Sequence, residues 1–273
     1  MPHPTVIAAT DLTRRSAHVV GRAARIARRL NARLIIAHVA DGGALAGLGR
    51  GGGHSSASLE ALAQEHDGEV HLLQGHPAQA LVELAQNHAA RLLVLGLHRE
   101  RRVLDLLGLT TMERIVQNAP CPVLIAHQPP ETDYEQVLCA TDFSRASATA
   151  LAVAGQIAPR ARFHAVHALQ LPIGSIFKLG HSETDKALDR TEAQIDDFLQ
   201  TPGLPALSEP PEIVPGGVHQ VLAFRCEELA ADLVCIGTHA GQDDKELGNY
   251  ARDLMRAPPT DLLIAKPGQR LPA

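Results

Sequence analysis

"VIAATDLTRRSAHVVGRAARIA" runs from Val6 to Ala27, and "VLCATDFSRASATALAVAGQIA" runs from Val137 to Ala158. Each is a short apolar run, a Thr-Asp pair, a polar turn and an alanine-rich stretch. Val19, Ala23, Ile26 and Leu30 fall on one helical face in the first copy. Ala148, Leu151, Ala152 and Ile157 do so in the second. A strand, a turn and a helix are therefore written twice.

The repeat continues outward. "ARLIIAHVAD" (Ala32 to Asp41) matches "ARFHAVHALQ" (Ala161 to Gln170), a second strand ending near His38 or His167. "VHLLQGHPAQAL" (Val70 to Leu81) matches "PEIVPGGVHQVL" (Pro211 to Leu222), a third strand, a turn and a helix start. "AARLLVLGLH" (Ala89 to His98) matches "AADLVCIGTH" (Ala230 to His239), a fourth strand stopping at Gly96 or Gly237. "APCPVLIAH" (Ala119 to His127) matches "PPTDLLIAK" (Pro258 to Lys266), a fifth strand after a proline-marked helix end. The strand runs are continuous rather than alternating, the pattern of strands buried on both faces of a parallel sheet covered by helices. The expectation is an α/β protein of two tandem five-stranded parallel-sheet domains, residues 1–130 and 131–273, joined near Pro130 in "QPPETDYEQ". The copies differ most between their second and third strands. The first has "DGGALAGLGRGGGHSS" and a short helix through about Gln64, with Gly42 to Gly53 read as a mobile loop. The second has "LPIGSIFKLG" and a longer helical pattern from Ser182 to Leu199.

A chain of 273 residues, 45% hydrophobic and 20% charged, suits two globular domains. Its net charge of -5 and its 3% aromatic content speak against a nucleic-acid surface. Cys121, Cys139, Cys226 and Cys235 show no C-x-x-C spacing, which suits buried thiols in a reducing compartment. With no basic leader and no long apolar span, the expectation is a cytoplasmic protein without membrane contact.

In an open parallel sheet, ligands bind beyond the carboxyl ends of the strands, where strand order reverses. The residues there are Thr10 and Asp11, Val39, and Leu95 and Gly96 in the first copy. In the second they are Thr141 and Asp142, Ala168, and Ile236 and Gly237. An Asp carboxylate accepts hydrogen bonds from a ribose hydroxyl or an adenine amino group. A glycine past the fourth strand lets backbone N–H groups approach a phosphate beside a helix N-terminus.

The order "ATD…HV…G-x-P…VLGLH…APCPVLIA" resembles the universal stress protein family, and both halves do so nearly end to end. The resemblance implies a Rossmann-like fold of the adenine nucleotide alpha hydrolase-like kind, with the fifth strands "PVLIA" and "DLLIA" paired across a pseudo-twofold axis. It also implies ATP or AMP as cofactor in some members, held by Gly, two residues, Gly, nine residues, then Gly with Ser or Thr. Neither copy matches that pattern fully. In the first, Gly96 fits, Arg99 stands at the second glycine, Leu109 at the third and Thr110 at the Ser/Thr position, with Gly108 one residue early. In the second, Gly237 fits, Ala240 replaces the second glycine, and Gly248 with Asn249 resembles the closing pair in a loop two residues shorter. Arg99, Arg101 and Arg102 favour phosphate in the first copy, and Asp243, Asp244 and Glu246 repel it in the second.

Other readings stand beside this one. Asp11 and Asp142 suit caps for the helices that follow. His3, His38, His98, His127, His167 and His239 lie near strand ends without a metal-binding frame. No phosphate loop or nucleophile elbow is present, so no catalytic residue is expected, and ATP hydrolysis would be incidental. The expected function is a non-catalytic stress sensor with a nucleotide-like ligand in at most one site, an unidentified protein partner and room for a further homodimer. A nucleotide-free scaffold is the alternative.

Overall fold

The computed structural model describes residues 3–13, 16–40, 52–97, 109–169, 194–239 and 247–271, with residues 52–56 described in backbone only. The first half runs β1 (Thr5–Ala9), α1 (Ala17–Arg29), β2 (Arg33–Ala40), α2 (Gly52–His66), β3 (Glu69–Gln74), α3 (Pro77–Asn87), β4 (Ala90–Gly96), α4 (Thr111–Asn118) and β5 (Val123–Ala126). The second half follows with β6 (Gln136–Ala140), α5 (Arg145–Ile157), β7 (Arg162–Leu169), β8 (Glu212–Pro215), α6 (Val218–Glu228), β9 (Leu233–Gly237), α7 (Asn249–Arg256) and β10 (Asp261–Ala265). Residues 194–199 are also helical, and the rest of the 182–199 pattern up to residue 193 lies outside the described residues.

The ten strands form one sheet in the order β3-β2-β1-β4-β5-β10-β9-β6-β7-β8. Every pairing within a half is parallel. β5 and β10 meet antiparallel, with Leu124 opposite Leu263, so the fifth strands pair as the resemblance implies. This seam turns what would be an exposed edge of each half into the middle of the sheet. Strand residues alternate between two apolar layers. One packs on α1 and α5 through Val20, Ala24, Leu151 and Ala154. The other packs on α3, α4, α6 and α7 through Leu81, Ile115, Leu222 and Leu254.

Two expectations need correction. β3 and β8 are not buried on both faces: both lie at sheet edges, and their residues are half-buried or exposed, Leu72 among them. The loop read as Gly42 to Gly53 ends earlier, because Gly52 and Gly53 already belong to α2; residues 41–51 lie outside the described set. A bare glycine is tolerated in a first helical turn, where the backbone is solvated anyway.

The connector between β5 and β6 is held by a buried charge that the strand pattern conceals. Asp261, at the start of β10, is fully buried. Its Oδ1 accepts from the backbone N–H of His127 and Gln128, each at 2.8 Å. Its Oδ2 accepts from the Tyr134 hydroxyl at 2.6 Å and lies 3.2 Å from Arg22 Nε. Arg22, from α1, also donates to the carbonyls of Thr132 and Pro129 and stacks over the Tyr134 ring at 4.2 Å. Gly21 leaves room for this path: a Cβ there would come within 2.7 Å of the Pro130 ring. Arg25 and Arg29 both bind Asp133.

Candidate functional site

At the carboxyl end of β1 the chain turns through a left-handed residue, Leu12 (φ 62°), and β6 does the same at Phe143 (φ 59°). Side chains from the Thr-Asp pair hold each turn. Thr10 Oγ1 accepts from Leu12 N at 3.0 Å, and Thr141 Oγ1 accepts from Phe143 N at 2.8 Å. Asp11 Oδ1 accepts from the backbone N–H and the hydroxyl of Thr13, at 3.0 and 2.8 Å. Asp142 Oδ1 accepts from Ser144 N at 3.0 Å. Both carboxylates are therefore Asx turns. Neither is the helix cap: those positions are Ser16 and Ser144. The Ser16 hydroxyl makes no cap bond because it contacts Thr10 Oγ1 at 2.7 Å and donates to the Thr13 carbonyl. In the second half Thr141 Oγ1 donates to Ser147 Oγ at 2.9 Å, and that hydroxyl donates to the Ser144 carbonyl.

The neighbouring strand completes each cluster. His38 Nδ1 lies 2.8 Å from the Thr10 carbonyl, and His167 Nδ1 lies 2.8 Å from the Thr141 carbonyl. A carbonyl only accepts, so Nδ1 carries the proton in both. Burial pushes the Asp11 carboxyl up, but the Thr13 and Ser16 donors outweigh it and hold the group below its ordinary value. Asp142 behaves alike through Ser144 and Ser147. Both acids are thus ionised near neutrality. Both are also exposed, and a carboxylate has more lone pairs than these turns use.

Beside each acid lies a row of half-buried apolar side chains on the α3/α4 or α6/α7 face. The first half contributes Ala9, Val39 and Leu73, from the ends of β1, β2 and β3. The second contributes Ala140, Ala168 and Val214, from β6, β7 and β8. Leu95 and Ile236 are buried beneath the ends of β4 and β9. An apolar floor with a solvent-facing carboxylate at its margin fits a flat heterocycle carrying a hydroxylated sugar. The fit in the first half has the larger floor, Val39 and Leu73 against Ala168 and Val214.

On the phosphate side, the glycines and helix starts have structural roles where they are described. A Cβ on Gly237 would lie 2.2 Å from the backbone of Ala146 and Ser147, so this glycine serves close packing of β9 against α5. On Gly96 it would lie 3.0 Å from a Val19 methyl group on α1. Thr110 and Gly248 are both helix N-caps, of α4 and α7. The two halves therefore align Thr110 with Gly248 and Thr111 with Asn249, one residue from the sequence-based match. Thr110 is engaged in a capping box, accepting from Glu113 N while Glu113 Oε2 accepts from Thr110 N. Arg99, Arg101, Arg102 and Gly108 lie outside the described residues, as do Ala240, Asp243, Asp244 and Glu246. The serines at 16 and 147 escaped the sequence reading, although their equal spacing from the Thr-Asp pairs was visible in it.

Two copies of a doubly wound α/β unit, each with the same Thr-Asp-His arrangement at its strand ends, define a duplicated protein. The universal stress protein family model matches residues 3–127 and again residues 133–266, and the chain belongs to that family. No curated protein sequence matches it. A protein of unknown function from Pseudomonas aeruginosa PAO1 is 18% identical, with a TM-score of 0.65, covering 97% of this chain and 93% of its own. A universal stress protein from Archaeoglobus fulgidus DSM 4304 is 16% identical, with a TM-score of 0.63, covering 97% and 96%. A universal stress protein solved in complex with cAMP is 28% identical over 46% of this chain and 98% of its own, at a TM-score of 0.36. Among the described residues no helix is long and apolar enough to cross a membrane.

Proposed function

We propose that this universal stress protein binds an adenine nucleotide, ATP or AMP, at the β1–β2–β4 strand ends of its first half, and that occupancy there alters its contacts with a protein partner. What carries the reading is the apolar row of Ala9, Val39 and Leu73 beside the ionised, exposed Asp11. The base lies on that floor, and the free lone pairs of Asp11 accept from the ribose or the adenine amino group. The second half keeps the Thr141, Asp142 and His167 arrangement but offers a smaller floor, and its following loop carries three acids. It is a degenerate site.

The protein does not act as an enzyme in this reading. Among the described residues the hydrogen-bond partners of the Asp11 carboxylate include no second carboxylate and no lysine. Isothermal titration of nucleotide-stripped protein with ATP, AMP and cAMP tests the proposal. Saturable binding lost in Asp11→Ala and kept in Asp142→Ala is the expected result. No heat with any of the three at millimolar nucleotide overturns it, and leaves a nucleotide-free scaffold.

A further inference from the structure

At the opposite, amino-terminal end of β4, a cavity of about 490 Å³ opens between the two halves. Its walls are the start of β4 at Arg91, the turn at Cys121 and Pro122 before β5, and the segment Gly268 to Arg270 that follows β10. Two arginines, one from each half, thus line one cavity. Neither Arg91 nor Arg270 has an ion-pair or hydrogen-bond partner among the described residues, and no carboxylate lines the cavity among them. In a chain of net charge -5 this is an unbalanced positive spot.

Pseudo-symmetry shows that the spot is not simply what the fold requires. Where the first half has Arg91, the second has Asp232. The Asp232 carboxylate accepts from the backbone N–H of Glu135 at 2.7 Å and of Gln136 at 3.0 Å, so there the connector is bound. Arg91 has the opposite charge and the opposite need, an acceptor.

The wall bearing Arg270 is held on both sides. Gln269 donates to the Ala119 carbonyl at 3.3 Å and accepts from Lys266 N at 2.8 Å. Leu271 is buried and exchanges two 3.2 Å hydrogen bonds with the Gln156 side chain. Lys266 donates to the Gln117 carbonyl at 3.0 Å and lies near enough to Cys121 for its charge to act on that thiol. Burial nevertheless pushes Cys121 up to about 12, so the cavity presents cations and a neutral thiol, not a nucleophile.

We propose that Arg91 and Arg270 form a second ligand site, separate from the strand-end crevice, which takes a small phosphate-bearing anion. Two planar forks approaching from different walls suit a group with three acceptor oxygens and close to two charges. The two carboxylates of a dicarboxylate are held apart by a carbon chain and cannot present three oxygens at one point.

The test is isothermal titration of the full chain with inorganic pyrophosphate, and with succinate as a carboxylate of similar charge. It is run on the wild type, Arg91→Ala, Arg270→Ala, the double variant and Asp11→Ala. One saturable pyrophosphate site is expected, weakened about tenfold by either arginine variant, as loss of one charge-assisted pair implies. Asp11→Ala should leave it unchanged, and Arg270→Lys should fall between wild type and Arg270→Ala. Both arginines are exposed, and an unchanged urea midpoint shows that the variants fold. Three results overturn the proposal: no saturable binding, binding that survives the double variant and so belongs at the strand ends, or succinate binding as tightly as pyrophosphate.

Discussion

Leu12 and Phe143 adopt a backbone conformation that residues other than glycine seldom enter, and in both copies a threonine hydroxyl two residues earlier accepts their N–H. Phe143 stays there because its ring is buried against Phe198 at 5.6 Å and beside His167 at 5.2 Å. Thr141→Val keeps the shape and deletes the acceptor, leaving a buried N–H without a partner. We expect a loss of about 1–3 kcal/mol in urea unfolding, with Thr141→Ser near wild type. The glycines that end β4 and β9 differ more than their shared spacing suggests. Gly237→Ala drives a methyl into α5 backbone and should cost at least about 1–3 kcal/mol, because backbone cannot step aside. Gly96→Ala meets a single Val19 methyl and should cost less in the same measurement. Asp11 adds a pH signature. Its folded value lies below the ordinary 3.8, so its stabilising contribution is complete above that value and is lost as pH falls through the lower folded one. Asp11→Asn should therefore flatten the acid limb of urea midpoints measured from about pH 5 to about pH 2.

At the scale of elements, strand order and helix placement were legible because apolar runs and helical spacing repeat in both copies. What they do not encode is position within the sheet. "VHLLQ" reads as a buried strand, yet β3 lies at an edge with Leu72 exposed, since apolar content alone does not say whether a second neighbour exists. The candidate site was partly legible for the same reason. The Thr-Asp pair is visible because it repeats, and the histidines because they end strands. The apolar rows were not visible beyond Val39 and Ala168, because Leu73 and Val214 join them only through the β2–β3 and β7–β8 registers. Thr110 stands at the Ser/Thr position of the family's phosphate pattern, and Thr-x-x-Glu is also the signature of a capping box. α4 has that box; α7, its mate, begins at Gly248 with no side-chain cap. Thr110→Ala should lower stability by about 1 kcal/mol. Gly248→Ser should raise it by a few tenths, since nothing lies within 4 Å of a Cβ there and the backbone is already extended.

For the whole molecule, the central question is what makes two repeats one folding unit. The antiparallel seam of β5 and β10 contributes a few backbone hydrogen bonds, as any strand pair would. Side-chain contacts add specificity across it, beside the Lys266 and Gln269 bonds to the Gln117 and Ala119 carbonyls. Arg256 of α7 reaches the buried Glu113 of α4 at 3.3 Å, and Asp261 gathers Arg22, Tyr134 and two connector N–H groups. A buried ion pair is weak evidence for net stability, but removing one partner strands the other in the core. Asp261→Ala leaves Arg22 without its carboxylate, and leaves the Tyr134 hydroxyl and the amides of His127 and Gln128 without their acceptor. We expect a cost of about 3–5 kcal/mol. Arg22→Met combined with Asp261→Leu and Tyr134→Phe removes the charges together and should recover part of that loss, though the two amides stay unpaired. If the carboxylate is the clasp between halves, urea unfolding of Asp261→Ala followed by circular dichroism should separate into two transitions. The wild type, tied through one ten-stranded sheet, should show one. A single, merely shifted transition in Asp261→Ala would mean that the β5–β10 seam and the remaining contacts between the halves suffice to couple them.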